Sequence, residues 1–193
     1  MKQNIFLILL AGLFLAGCGV QSIPKSKNAV EAEWAEIQNQ YQRRADLVPN
    51  LVNVVKGYAK HERETLESVT EARAKASQTQ LNFNQLNADS LKKFQDAQAS
   101  LTSALSRLLV VVEKYPDLKA NENFRDLQVQ LEGTENRIAI ARRRYIEAVQ
   151  YYNNQITVPP ASWTNRLFYH YQKMPQFAVD EPQKVKEAPK VEF

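Results

Sequence analysis

The sequence predicts an all-α protein whose helices form an antiparallel up-and-down bundle. Only 5 of the 193 residues are glycine, the charged fraction is 24%, and long stretches contain no proline. An all-β domain of this length would need many turns rich in glycine and proline. Apolar residues instead recur every three or four positions, which is the spacing of one face of an α-helix. The length suits one domain with a hydrophobic core and tails.

Composition argues against several classes of function. The formal net charge is only +4, and lysines and arginines alternate with nearly as many carboxylates, so we expect no nucleic-acid partner. The single cysteine cannot form an internal disulfide, and His61 and His170 lie far apart in sequence. His61 opens the stretch HERET, which lacks the second histidine of a zinc-protease motif. We therefore expect neither a metal nor another cofactor.

Residues 1–17 have the parts of an export signal. Lys2 supplies a positive charge, residues 5–15 are apolar and uncharged, and two small residues precede the cysteine. The uncharged apolar stretch of residues 5–20 contains 16 residues. A membrane-spanning helix needs about 20. The sequence therefore predicts a cleaved signal peptide and not a membrane span.

The stretch LAGC, residues 15–18, is similar to the lipobox of bacterial lipoproteins. In such proteins diacylglycerol alkylates the thiol, the chain is cut before the cysteine, and the new amino group is acylated, for example with palmitate. We expect acylated Cys18 to hold the mature chain on a bilayer, because two or three acyl chains anchor a protein where one does not. Gly19 in place of Asp favours, by similarity to lipoproteins of double-membraned bacteria, the outer membrane. An uncleaved short anchor with an unused cysteine is the alternative.

The mature chain begins with a polar stretch and continues with helical patterns. Residues 18–28 are expected to be a tether, and residues 29–154 are expected to form the bundle. Apolar stripes run from Val30 to Ala76, from Leu91 to Val112 and from Phe124 to Tyr152. The last stripe keeps the spacing of a coiled coil, about 3.5 residues.

Two prolines decide how these helices connect. Pro116 ends the second helix and begins the third, so those two are expected to form an antiparallel hairpin. Pro49 interrupts the first stripe without changing its phase. We predict a break there, with Asp46 as N-cap and four helices in all, because a proline inside a helix costs about 3 kcal/mol. The alternative is one long bent helix whose overhang around Trp34 is covered by a second chain.

The pattern changes after residue 154. Residues 155–174 form an amphipathic aromatic segment, whereas residues 175–193 are rich in proline and charge and are expected to be disordered. In an up-and-down bundle of four helices both chain ends emerge together, so this segment would lie beside Cys18 and the membrane. We therefore name five candidates for contact with the membrane interface, since Trp and Tyr favour it and basic groups meet headgroups: Trp163, Arg166, Phe168, Tyr171 and Lys173. A segment that merely caps the bundle is the alternative.

A second candidate is the stretch GTENR, which interrupts the third stripe with polar groups. Thr134 lies on the stripe itself, next to Glu135, Asn136 and Arg137. Either these residues line a polar pocket, or they form a buried network that sets helix register, with Gly133 allowing close approach of helices. We favour the network. No pair of carboxylates can be placed face to face, so we name no catalytic residue.

Long strings of the chain resemble the LemA family of bacterial envelope proteins. The strings are YQRRADLVPNLVNVVKGYAKHE, VTEARAKA and LSRLLVVVEKYPDLKANENFRDLQVQLEGTENRIAIARRRYIEAVQYYN, within residues 30–154. The resemblance implies an all-α antiparallel bundle with a membrane anchor on its N-terminal side. It carries over no catalytic residue, because the family has no established activity. The lipobox and the segment after Asn154 depart from the family pattern.

Together these features predict a non-enzymatic envelope lipoprotein that faces the periplasm or the exterior. Its bundle would serve as a scaffold or interaction module for a protein partner, although fold alone does not dictate function. The alternative is a small-ligand binder or an enzyme that uses the polar cluster at residues 133–137.

Overall fold

Apolar residues at helical spacing dominate the chain, and the computed structural model, which describes residues 20–177, is all-helical over that range. Within those residues it has six helices and no strand, so the all-α class is confirmed and the count of four helices is not. The leader, Cys18 and residues 178–193 lie outside the described residues. The helices are α1 (Ser22–Tyr58), α2 (Arg63–Gln78), α3 (Ala88–Val112), α4 (Pro116–Ala120), α5 (Glu122–Thr157) and α6 (Ala161–Thr164), with a 3-10 turn at Phe83–Gln85 and a π-helical turn at Asn165–Tyr169.

The predicted break between Asp46 and Pro49 is wrong, because α1 continues through both residues. Pro49 has no N–H, so the carbonyl of Ala45 loses its helical hydrogen-bond partner. The guanidinium of Arg73, on α2, supplies the missing donor through an Nε–O bond of 2.8 Å to that carbonyl. A side chain from a neighbouring helix therefore replaces the hydrogen bond that proline removes, and the helix does not need to end.

The first reversal of the chain comes later, at residues 59–62. The amide of Ala59 closes the last turn of α1 by donating to the carbonyl of Val55 at 2.8 Å. At its other end α1 begins at Ser22, so residues 22–28, expected as tether, belong to the helix.

Helices α1 and α5 lie antiparallel along their full lengths. Ser22 donates a hydrogen bond of 3.0 Å to Gln155, near the start of α1 and the end of α5. At the opposite end Asn121, the N-cap of α5, donates to the hydroxyl of Tyr58 at 2.9 Å. Helices α2 and α3 lie beside the C-terminal half of α1. The turn at Pro116, which the sequence predicts, connects α3 to the short helix α4 and then to α5.

The core divides into an aromatic and an aliphatic cluster. The aromatic cluster surrounds the N-terminal half of α1, where Trp34 packs against Phe94 and Tyr145 with ring centroids 5.4 and 5.6 Å apart. The aliphatic cluster lies between the C-terminal half of α1 and helices α2, α3 and α5. Its members include Val48, Leu51, Val55, Leu66, Val69, Leu101, Leu105, Leu108 and Leu131.

The overhang around Trp34 is covered by the chain itself. The indole of Trp34, 1% exposed, donates a hydrogen bond of 3.1 Å to the carbonyl of Leu81 in the loop after α2. From the other side comes Phe177, whose ring centroid lies 5.4 Å from that of Tyr145. A long first helix therefore does not require the second chain that this alternative assumed.

Side chains of α5 hold the segment that carries Phe177 by hydrogen bonds to the backbone of that segment. The hydroxyls of Tyr145 and Tyr152 donate to the carbonyls of Pro175 and Gln172 at 3.0 and 3.2 Å. The amide of Asn153 bonds both the N–H and the carbonyl of Met174. Residues 175–177, which were expected to be disordered, are therefore part of the folded body.

We expect Arg73→Ala to lower the free energy of unfolding by about 1 kcal/mol, the usual worth of one such hydrogen bond. In a chain carrying Pro49→Ala the loss should be smaller, because the N–H restored at position 49 bonds the carbonyl of Ala45. Urea unfolding of the four chains of this double-mutant cycle measures the coupling. Lys75→Ala, an exposed change on the same helix, is the control and should show no coupling to position 49. Equal losses in both backgrounds would contradict the account.

Burial raises the pKa of Tyr152 to about 12, with a smaller contribution from Tyr171, and also raises the pKa of Tyr145. The unfolded tyrosine loses its proton near its ordinary pKa of 10.0, before the folded one does. The contribution of these tyrosines to the free energy of unfolding is therefore fully present below pH 10. It falls as the pH rises from about 10 towards 12, by up to about 1.4 kcal/mol per pH unit for each such group.

Tyr152→Phe should flatten this alkaline loss of stability, although removing the bond to Gln172 lowers stability at neutral pH. Urea midpoints between about pH 9 and pH 11 test this expectation. The control is Tyr151→Phe at the neighbouring exposed tyrosine, which should leave the pH slope unchanged. An identical slope in Tyr152→Phe and the natural chain would disprove the role of its buried hydroxyl.

Candidate functional site

A buried arginine lies where the two core clusters meet. Arg44 belongs to the apolar stripe of α1, one helical turn from both Tyr41 and Val48, and is 1% exposed. Burying an isolated charge costs several kcal/mol, about as much as many whole domains are stable by, unless partners surround it. Its contacts therefore show which helices must meet at this level.

The partners of Arg44 come from two other helices. One Nη atom donates to Glu135 of α5 at 2.7 Å and to Thr102 of α3 at 2.9 Å. The other Nη atom donates to the side-chain and backbone oxygens of Gln98 at 2.7 and 3.2 Å. The amide of Gln98 reaches on to the carbonyl of Ala76 at the end of α2, at 3.4 Å. One side chain thus connects α1, α3 and α5, and through Gln98 also α2.

A groove of about 410 Å³ opens beside this cluster. Its walls include Arg44, Gln98, Glu135, Tyr41 and Arg142. Burial raises the pKa of Tyr41, while the positive charges of Arg142 and Arg44 lower it by a smaller amount. The groove offers guanidinium, amide and hydroxyl groups for hydrogen bonding, and its lining contains neither histidine nor cysteine.

The structure separates the four polar residues predicted to act together. Thr134 is fully buried and donates to the carbonyl of Gln130 at 2.7 Å, while Glu135 reaches Arg44. Asn136 and Arg137 lie on the exposed side of α5, although Arg137 donates to the Thr134 hydroxyl at 3.0 Å. Thr134 and Asn136 do not line the groove.

The hydrogen bonds of Thr134 and Glu135 agree better with a buried network than with a pocket lined by all four residues. Gly133 does not have the role that was expected. A Cβ at position 133 would meet only the tip of Arg137, at 3.6 Å. No neighbouring helix approaches it closely, so close helix packing does not explain this glycine.

The other chemistry-bearing residues lie apart. His61 is exposed in the turn after α1, and His170 is exposed at the end of the π-helical turn, where its φ of 55° ends the helix. Among residues 20–177 no group of three His, Cys, Asp or Glu side chains could hold a metal ion.

The aromatic segment forms a second candidate site, at the end of the molecule where α1 begins. The hydroxyl of Tyr169 donates a hydrogen bond of 2.7 Å to the carbonyl of Val20. Five large apolar side chains at this end are 44–71% exposed, and we name them the end patch: Val20, Val158, Trp163, Leu167 and Phe168. In the part of the chain that the structure describes, no helix is both long enough and apolar enough to span a bilayer.

The five predicted interface residues divide around His170. Trp163, Arg166 and Phe168 are exposed before it, and Lys173 is exposed after it. Tyr171 is half-buried instead, because the left-handed turn sends it back against Tyr169, with ring centroids 5.2 Å apart, and under the ammonium of Lys27.

Sequence reasoning missed Arg44, Val20 and Leu167 as site residues. Arg44 had a usable signal, since it occupies a stripe position between Tyr41 and Val48 where an apolar residue is expected. Val20 had none, because only the fold brings it to the aromatic segment.

We expect Arg44→Lys to lower the free energy of unfolding by about 2–4 kcal/mol. One ammonium group cannot replace the hydrogen bonds that the two Nη atoms donate to α3 and α5. Glu135→Gln should cost less, since its amide oxygen still accepts a bond and the position is partly exposed. The matched control is Arg63→Lys, in the exposed pair of Arg63 with Glu67 at 2.6 Å. It should leave the urea midpoint unchanged. Equal midpoints for Arg44→Lys and Arg63→Lys would refute the assignment.

Comparison with known protein sequences identifies relatives of this chain. Protein LemA of Metamycoplasma hominis is 26% identical over 163 residues, which cover 83% of this chain and 69% of that protein. Magnetosome proteins MamQ 1 and MamQ 2 of Paramagnetospirillum magneticum are each 31% identical over 86 residues, or 45% of this chain. The matched part is 31% of each MamQ protein, so this chain spans about a third of their length.

The LemA family itself matches residues 33–193, which extends past Asn154, where the resemblance visible in the sequence ends. The match includes the buried Arg44 cluster, most of the end patch and the segment that carries Phe177. The chain therefore belongs to the LemA family.

Proposed function

We propose that this protein is a lipid-anchored envelope protein whose helical body serves as a non-enzymatic scaffold or interaction module. One observation carries the proposal: the lipobox-like LAGC ends two residues before Val20, and Tyr169 holds the Val20 carbonyl at 2.7 Å. An acyl group on Cys18 would then connect directly to the folded body, with no long linker between them.

The arrangement of polar groups in the interior favours a structural role over a catalytic one. Its polar centre, Arg44 with Gln98, Thr102 and Glu135, uses its charges to join helices. A catalytic site needs a group positioned to move a proton or attack a substrate. Arg44 and Glu135 are paired with each other at 2.7 Å, which argues against a role of either group in proton transfer.

A protein partner in the envelope is the expected ligand of such a body. The outer faces of α1, α3 and α5 carry alternating charges suited to a polar contact, and pairs such as Lys92 with Asp96 are exposed. The predicted export signal and the absence of Asp at position 19 favour the outer membrane in a double-membraned cell, with the body facing the periplasm or the exterior.

The alternative function, a small-ligand binder, draws on one observation. The Nε atom of Arg44 is buried without a hydrogen-bond partner among the described residues, beside the groove of about 410 Å³. A small carboxylate or phosphate could accept from it. Against this alternative, Glu135 already neutralises Arg44 at 2.7 Å.

Acylation of Cys18 is tested by the intact mass of protein extracted from membranes. We expect a chain that begins at Cys18 and carries the added mass of diacylglycerol and an N-linked acyl group. Cys18→Ser removes the chain's only thiol, so it should retain residues 1–17 and carry no lipid. An unlipidated chain that begins at Met1 in the natural protein would rule out the anchor.

A further inference from the structure

We infer that the end patch rests on the bilayer surface, so that the protein contacts lipid through its folded body as well as through acyl chains. This inference rests on the proposed acylation of Cys18, and it names anionic phospholipid headgroups and the upper acyl chains as the partner of the patch. The membrane would then fix the orientation of the body and not only its location.

The apolar side chains of the patch are held outward by a rigid support. Asn165, which is buried, bonds both the N–H and the carbonyl of Tyr171 at 3.0 and 3.1 Å. Tyr169 is fastened to Val20, and His170 reverses the chain. The turn that carries Trp163, Leu167 and Phe168 is therefore fixed on both sides, and these side chains stay exposed although neighbours in the same segment pack inward.

The two tryptophans differ sharply in their exposure to solvent. Trp34 is 1% exposed in the aromatic cluster, whereas Trp163 is 63% exposed. Exposed large apolar side chains that gather at one end of a molecule mark a candidate interaction surface. The indole of tryptophan favours the membrane interface, because its N–H can meet water while the rest of the ring stays apolar. Phe and Leu side chains occupy the apolar face of helices that lie in that interface.

The charge around the patch favours a lipid surface over a second protein copy. Residues 20–30 and 151–177 contain Lys25, Lys27, Arg166 and Lys173 but no Asp or Glu. The 21 acidic residues of the chain all lie elsewhere. Two like-charged ends would repel each other, whereas anionic headgroups attract lysine and arginine.

The orientation that follows is upright. Helices α1 and α5 both have one end at the patch, and α1 has 37 residues. At 1.5 Å per residue its far end lies about 55 Å away. The turn at residues 59–62 and the start of α5 would therefore project far from the bilayer, where a partner can reach them.

The test uses the acylated mature protein, residues 18–193, reconstituted into vesicles of phosphatidylethanolamine with a minority of phosphatidylglycerol. The lipids carry bromine on the upper acyl carbons, which quenches tryptophan on contact. An apolar face at the interface is buried about 5–10 Å into the boundary between headgroups and acyl chains, where these carbons lie, so we expect the loss of about half of the Trp163 emission. Trp163→Phe leaves Trp34 as the only tryptophan, and its emission should be unaffected by brominated lipid.

A second variant tests the patch without touching the fluorophore. Leu167→Ser with Phe168→Ser should reduce quenching of Trp163. The matched control, Val110→Ser with Val129→Ser, removes side chains that are 68% and 67% exposed on α3 and α5 away from the patch. It should quench as the natural chain does.

Flotation of the vesicles distinguishes acylation of Cys18 from contact of the end patch with lipid. Protein that floats and is quenched at Trp163 supports the inference. Protein that floats with Trp163 unquenched keeps the acyl anchor and overturns the contact of the patch with lipid. Protein that does not float removes the anchor, and the inference fails with it. Shielding of Trp163 that depends on protein concentration and not on brominated lipid would assign the patch to a second copy and also overturn the inference.

Discussion

The burial of Arg44 is the constraint on which the arrangement of the helices depends. Seams of leucine and valine pack almost equally well after a slip of one turn, about 5.4 Å, so they specify helix register weakly. A charge that must find Gln98, Thr102 and Glu135 together allows one register only. A shift of α3 would remove Gln98 and Thr102, and a shift of α5 would remove Glu135. Either loss leaves a buried guanidinium with incomplete partners, which costs several kcal/mol. The polar layer thus supplies specificity, and the clusters on either side supply most of the apolar burial.

The two sides of this layer are closed by different means. The aliphatic cluster is covered by regular helices, α2 and α3, which pack side chains of similar shape. The aromatic cluster is covered by the start of α3, with Leu91 and Phe94, and also by irregular backbone, the loop at Leu81 and the segment that ends at Phe177. Irregular backbone carries polar groups that need partners, and here the indole of Trp34 and the hydroxyls of Tyr145 and Tyr152 supply donors to its carbonyls. Aromatic residues with a polar atom are therefore suited to this half of the core.

The sequence predicted what depends on local pattern and failed where distant residues decide. Helical stripes, the turn at Pro116 and the polar interruption at Thr134 all follow from neighbours in the chain. Pro49 looked like a break because the local cost of a proline is known, whereas the donor that compensates it comes from Arg73, which the pattern does not connect to Ala45. The partner of Glu135 and the cover of Trp34 were hidden for the same reason. Arg44 lies 91 positions from Glu135, and Leu81 and Phe177 are also distant from Trp34 in sequence.

The antiparallel pairing of α1 with α5 also sets the order in which the chain can fold. The hairpin of α2 and α3 can form from contacts close in sequence, but the aromatic cluster needs Trp34 and Phe177 at once. Contacts of such long separation slow folding, because the loop between them must close first. Nearly the whole polypeptide must therefore be present before this half of the core can exclude water, and a partly completed or partly exported chain leaves these aromatic side chains exposed.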